Sequence, residues 1–122
     1  MANHPIVHVE ISATDPQAAG KFYSSVFDWK LEHDETFNYL QFAAPPGPGG
    51  AFQQTDDGGN RPGMVRVYIG TDDIEATLAR IEASGGKVLM PKTEIPMIGW
   101  FAIFNDPTGN ELALYTAMEP QS

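Results

Sequence analysis

Two stretches of this chain follow one plan at a fixed separation. Residues 11–31 read ISATDPQAAGKFYSSVFDWKL and residues 69–89 read IGTDDIEATLARIEASGGKVL. Each finishes a strand, caps a helix, runs that helix for about three turns and returns as a strand. Setting Ile11 on Ile69 gives an offset of 58 residues. Thr14 then falls on Asp72, and Gln17 on Glu75. Both pairs predict a capping box, in which an N-cap oxygen and a Gln or Glu three residues later satisfy each other's end of the helix. Such a duplication narrows the fold sharply. Two half-sheets related by a pseudo-dyad enclose a cavity, and the side chains at paired positions decide what it can hold.

Residues 5–13 alternate and are β-branched, so they read as a strand. Val7, Val9 and Ile11 take one face; His8, Glu10 and Ser12 take the other. Ala19, Phe22, Tyr23, Val26 and Phe27 recur at i, i+3, i+4, i+7 and i+8, which predicts an apolar helix face lying on the Val7, Val9 and Ile11 side of that strand. Strands are expected over residues 29–33, 37–43 and 51–54, the last preceded by the loop PPGPGG. TDDGGNRPG is the one clear linker. The order then repeats. A strand over residues 64–69 is followed by a helix burying Ile74, Leu78 and Ile81, closed at Gly85. A strand over 87–90, a loop over 92–99, a strand over 100–104, the turn NDPTGN and a strand over 111–116 complete it. This is βαβββ twice: one domain over residues 1–122, with modules over about 4–55 and 64–118 and a linker over about 55–63.

With 122 residues the chain is long enough to bury a working core. Cysteine is absent, which removes disulfides, thiolate metal ligands and a Cys nucleophile. No apolar run has the length of a membrane span, and no signal-peptide h-region opens the chain, so a cytoplasmic protein without a membrane partner is expected. Sixteen acidic against seven basic residues give a net charge of −9. That surface repels nucleic acid and has no basic stripe to offset the repulsion. Phosphate-binding loops, dinucleotide glycine fingerprints and nucleophile elbows are all missing.

FYSSVFDW after the first strand and GWFAIFNDPTGNELALY near the end resemble the vicinal-oxygen-chelate superfamily, which includes glyoxalase I, bleomycin-resistance proteins and extradiol dioxygenases. The resemblance covers essentially the whole chain, and PKTEIPMIGWFAIFNDPTGN is similar to the small bacterial glyoxalase-like proteins. It implies an α+β fold: two tandem βαβββ modules forming a cup-shaped mixed β-sheet with helices on the outside. Metalloenzymes of that superfamily place a His, Glu or Gln ligand on the first and last strand of each module and use a divalent cation as a Lewis acid. The matching positions here are His8, Gln53 (Gln54 is the neighbouring choice), Arg66 and Ala113. Arginine carries donors and a fixed positive charge, and alanine has no ligand atom. Two neutral ligands fall short of a catalytic site, so no metal or other cofactor is expected. A fallback set of His8, Glu10 and Glu111 has suitable ligand types in a shifted geometry.

If the strands pair as in the superfamily, Arg66 and Tyr68 share a side with His8 and Glu10. Arg66 then meets Glu10 or Glu111 in an ion pair. Such a pair either satisfies charges on a polar face or frees a planar fork for a substrate carboxylate or phosphate. His8 is a candidate general base tuned by Glu10. The catalytic candidates are therefore His8, Glu10 and Arg66. Gln53, Tyr68, Trp100, Glu111 and Tyr115 are candidate ligand contacts. Phe22, Phe27 and Trp29 read as core between helix and sheet. Along residues 100–104 alternation separates Trp100, Ala102 and Phe104 from Phe101 and Ile103, and either set fits the cavity. The function expected is small-molecule binding in the cup by a homodimeric glyoxalase-like protein with an incomplete metal site. The alternative is a divalent-metal-dependent lyase, isomerase or dioxygenase with a rearranged site, and whether the protein is an enzyme stays open.

Overall fold

A computed structural model describes residues 4–35, 39–56 and 60–118. The element order is β1 (Ile6–Ala13), α1 (Pro16–Phe27), β2 (Lys30–Asp34), β3 (Tyr39–Ala43), β4 (Gly50–Gln54), β5 (Val65–Gly70), α2 (Ile74–Ala83), β6 (Lys87–Ile95), β7 (Gly99–Asn105) and β8 (Glu111–Ala117). The chain is thus α+β, with βαβββ occurring twice. Phe37, the first residue of the third expected strand, lies outside the described residues, as does part of the expected linker. Among the described residues no helix is long and apolar enough to cross a membrane.

Two compact units divide the chain: His8–Arg66, and Val67 onward together with the N-terminal residues through Val7. In the first unit the strand order is β2-β3-β4-β1. β2, β3 and β4 form an antiparallel meander, and β4 lies parallel to β1. The parallel pair is what α1 allows, since a crossover helix must carry the chain back before a strand can run in the same direction. At the Val9–Gly50 position the strands approach so closely that a Cβ on Gly50 would sit 1.7 Å from the Val9 carbonyl oxygen.

Val9, Ile11, Leu40, Phe42 and Phe52 form the apolar face under α1, joined by Ala19, Tyr23 and Trp29. Phe52 is fully buried. Trp29 stacks on Phe42 at 4.4 Å between centroids and on Tyr23 at 5.1 Å. The helix face differs from the one its spacing suggests. Phe22, Val26 and Phe27 are exposed, Phe22 at 57%. The inward stripe instead centres on Ala19, buried Gly20 and Tyr23. Gly20 causes the rotation: it has no side chain, so the helix seats against Leu40, where a Cβ would come within 2.5 Å of Leu40 Cδ2. Phe22 and Val26 consequently turn away from the sheet.

In the second unit the order is β5-β8-β7-β6, with β5 and β8 parallel and the rest antiparallel. Ile74 and Leu78 of α2 pack on Ala102, Phe104 and Leu114, with Ile81 against the same cluster. Gly85 follows the helix at φ 98°, the left-handed conformation that glycine adopts without a Cβ clash. The boundary between the units falls inside β5. Within the first unit Ser12 N–H donates to the Met64 carbonyl at 3.0 Å; within the second, Gly70 N–H donates to the Pro5 carbonyl at 2.8 Å.

Both helix starts lie one residue later than the expected capping boxes. Asp15 accepts from Ala18 N–H at 3.1 Å and Asp73 from Ala76 N–H at 3.0 Å. Each N3 position is therefore alanine, and neither Gln17 nor Glu75 holds it; Glu75 lies in the first turn, where its charge suits the helix dipole. β6 also runs on to Ile95 through most of the expected 92–99 loop, because β-bulges between Val88 and Met90 and between Met90 and Thr93 absorb Pro91 without ending the pairing.

Candidate functional site

The polar face of the first unit follows from strand parity and register. His8, Glu10 and Ser12 alternate with the apolar residues of β1. Glu10 pairs with Ala51, Ala51 with Gln41, and Ser12 with Gln53, and paired residues share a face. The core cluster of Leu40, Phe42 and Phe52 lies on the other face, under α1, and Ala51 is buried on the polar face. The result is a sheet surface bearing an imidazole, a carboxylate, a hydroxyl and two amides.

Arg66 joins this group. It is only 6% exposed, and its Nη1 lies 3.6 Å from Glu10 Oε1. An ion pair with Glu10 thus forms. Burying both charges is unfavourable unless each is compensated, and Glu10, with its side chain 13% exposed, supplies the opposite sign. Arg66 Nη1 also donates to Asn60 Oδ1 at 3.4 Å. Asn60 is itself held by Asp56: its backbone N–H and side-chain amide donate to the two carboxylate oxygens at 3.1 and 3.0 Å. Asp56 N–H donates back to the Asn60 carbonyl at 2.7 Å.

Sequence reasoning did not single out Asn60, Gln41 or Ser12. For Asn60 a signal exists, since DDGGN and DPTGN share an Asp-x3-Asn spacing. The second copy makes the same closure. Asp106 accepts from Asn110 N–H at 3.0 Å, Asn110 Nδ2 at 2.9 Å, Thr108 N–H at 2.8 Å and Thr108 Oγ1 at 2.9 Å. These donors, the Asn110 amide first, hold the Asp106 carboxyl well below the usual carboxylate range.

Burial pushes the His8 imidazole below its ordinary value, because desolvation penalises the charged ring. Near neutral pH the ring is uncharged, the protonation state that a general base needs. The unfolded chain takes up a proton on His8 as pH falls through about 6.5, while the folded ring resists it. Stability contributed by the neutral ring is complete above that pH and is lost below it. Urea midpoints measured from about pH 7.5 down to about pH 5 should therefore fall, and His8→Gln should flatten the decline. Parallel curves for the two proteins would show that His8 does not carry it.

The remaining candidates belong to the second unit. Tyr68 pairs with Ala113, Ala113 with Ile103, and Phe101 with Tyr115, so these side chains occupy one face. Tyr115 O–H donates to the Ile98 carbonyl at 3.4 Å, and burial pushes its phenol upward. Glu111 opens β8 opposite Asn105. Trp100 is on the other face, paired with Thr116 and packed against the core under α2. The alternation along β7 therefore resolves with Trp100, Ala102 and Phe104 toward the helix and Phe101 and Ile103 away from it. Trp100 shares no face with Tyr68 and Tyr115.

The residues at the superfamily's ligand positions do not fit a divalent cation. Arg66 is a buried cation, and Ala113 is fully buried and has no donor atom. Among the described residues no group of three His, Asp or Glu side chains is arranged to hold a metal ion. His8 and Glu10 share a face of the first unit, whereas Glu111 belongs to the second.

A family model described as Glyoxalase-like domain matches residues 8–115. A glyoxylase-like domain-containing protein of Didymella fabae is 32% identical over 117 residues, covering 88% of this chain and 90% of that protein. CFP32 of Mycobacterium tuberculosis, provisionally named a glyoxylase, is 28% identical over 124 residues. That match covers 89% of this chain but 44% of CFP32, so the chain spans less than half the length of this relative. The fold is shared with methylmalonyl-CoA epimerase from Mycobacterium tuberculosis, at a TM-score of 0.75 and 14% identity over 94% of this chain and 89% of that one.

Proposed function

The chain belongs to the glyoxalase-like domain family, and on that premise we propose that it binds a small molecule bearing a carboxylate or phosphate on the polar face of its first unit, with Arg66 as the charged contact. The observation that carries this reading is a buried guanidinium on a face that also holds His8, Glu10 and Gln53. Arginine's planar fork matches the geometry of carboxylate and phosphate oxygens. The Asp56–Asn60 closure orients the guanidinium, and Gln41, Gln53 and Ser12 offer neutral hydrogen bonds for the rest of a polar ligand. Neutral His8 gives the face a proton acceptor, should the bound molecule carry an acidic proton.

Metal-dependent lyase, isomerase or dioxygenase chemistry finds less support in this donor set, because the cation of Arg66 stands where a metal ligand would. The two readings separate in one set of melting curves. Small mono- and dicarboxylates should raise the melting temperature of the intact protein, and Arg66→Lys should weaken the bound ones by about tenfold or more, keeping charge but losing the fork. Ligands that bind Arg66→Lys as tightly as the parent would refute the clamp. Stoichiometric uptake of nickel, zinc, manganese or iron by chelator-treated protein, with a raised melting temperature, would favour the metal enzyme instead.

A further inference from the structure

The second unit has a cavity of about 600 Å³ at the N-terminal end of α2, lined by Asp72, Ile74, Lys92, Trp100, Thr116 and Met118 among others. It lies on the helix-bearing side of that unit's sheet, so neither Arg66 nor the Tyr68 and Tyr115 face contributes to it. Its size falls within the range of small-molecule sites.

A β-bulge builds one wall. Met90 pairs with Ile103 and Thr93 with Phe101, so β6 has one residue more than β7 across the interval that contains Pro91 and Lys92. Bulges re-aim side chains, and here Lys92 Nζ lies 5.1 Å from the centroid of the Trp100 ring. The same ammonium is 3.9 Å from Glu75 Oε1. That carboxylate is largely exposed, so the pair is screened by solvent and is weak competition for a ligand. The cavity's hydroxyls are already committed to structure: Thr71 Oγ1 bonds Thr77 Oγ1, and Thr116 Oγ1 donates to the Thr71 carbonyl. What remains for recognition is one cation, Lys92, one carboxylate, Asp72, and an apolar wall of Ile74, Trp100 and Met118.

We propose that this cavity binds a small zwitterion with an apolar body, namely a free amino acid with an aromatic or branched side chain. Its carboxylate meets Lys92, its ammonium meets Asp72, and its side chain covers Trp100. An anion alone meets Lys92 but lies beside the like charge of Asp72. A cation alone is opposed by Lys92. Only a molecule carrying both charges satisfies both walls.

The Trp29→Phe variant of the 122-residue chain leaves Trp100 as its single tryptophan, so its fluorescence reports on this cavity. L-Phenylalanine and L-leucine should produce a saturable change, and calorimetry on Arg66→Lys protein that keeps both tryptophans should give the same affinities. 3-Phenylpropionate and phenethylamine, each missing one charge, should bind about tenfold more weakly or worse. Lys92→Gln should lower affinity for the amino acid to that of the amine, and Asp72→Asn to that of the carboxylate. Arg66→Lys should leave the signal unchanged, which separates this site from the one on the first unit. Absence of saturation by both methods, equal binding of 3-phenylpropionate, or unchanged affinity in Lys92→Gln and Asp72→Asn would each overturn the proposal.

Discussion

Arg66→Met is expected to destabilise the protein by about 3 kcal/mol or more, and Arg66→Met combined with Glu10→Gln to recover most of that loss. The single change removes a buried cation and leaves the Glu10 charge in a poorly solvated setting, where its side chain is 13% exposed. Methionine fills much of the arginine volume, so lost packing is a minor part. Glutamine then removes the stranded charge while keeping hydrogen-bonding atoms. The double-variant cycle isolates the coupling of the pair. Additive losses, with no recovery in the double variant, would mean that the two side chains act separately and would remove the physical basis for reading Arg66 as a held clamp. Ligand binding should separate from stability here: the double variant folds but does not respond to carboxylates.

Gly50→Ala should cost about 3 kcal/mol or more. A Cβ at this position would stand 1.7 Å from the Val9 carbonyl oxygen and 2.7 Å from Phe42 Cζ. The phenyl ring can shift, but the carbonyl belongs to the backbone of β1, which would have to separate from β4. That movement would disturb the register that aligns Glu10 with Ala51 and Ser12 with Gln53. Denaturant unfolding should show a large fall in midpoint, with carboxylate binding weakened in whatever protein folds. A midpoint within about 0.5 kcal/mol of the parent's stability would mean that the strands separate at little cost and that the tight Val9–Gly50 contact is not structural.

Much of the fold was legible because its signals are local. Strand alternation, helical spacing and turn residues gave the order βαβββ twice, since backbone geometry imposes those periods wherever the elements end up. The 58-residue offset set Arg66 against His8, and an ion pair with Glu10 or Glu111 followed from the cost of burying a lone guanidinium. The misses share a cause. Thr14 and Asp15, like Asp72 and Asp73, are adjacent residues that can all cap a helix, and only the bond to Ala18 or Ala76 selects one. The helical spacing of α1 offered Phe22 and Val26 as core, yet Gly20 determined which side meets Leu40. Asn60 was readable only as part of a turn, because its contact with Arg66 crosses from a loop to a strand.

By itself, then, the sequence determined the two-module plan, the polar and apolar sets along each strand, and the unsuitability of arginine and alanine as metal ligands. Those properties reside in single residues and in spacings of two to four positions. Tertiary structure decided which of two alternating sets faces the helix, that Glu10 stands beside Arg66, and that Trp100 lines a separate cavity beside Lys92. Those outcomes depend on non-local packing: a helix covers one face of its sheet, and a bulge turns a side chain, only when distant segments of the chain meet.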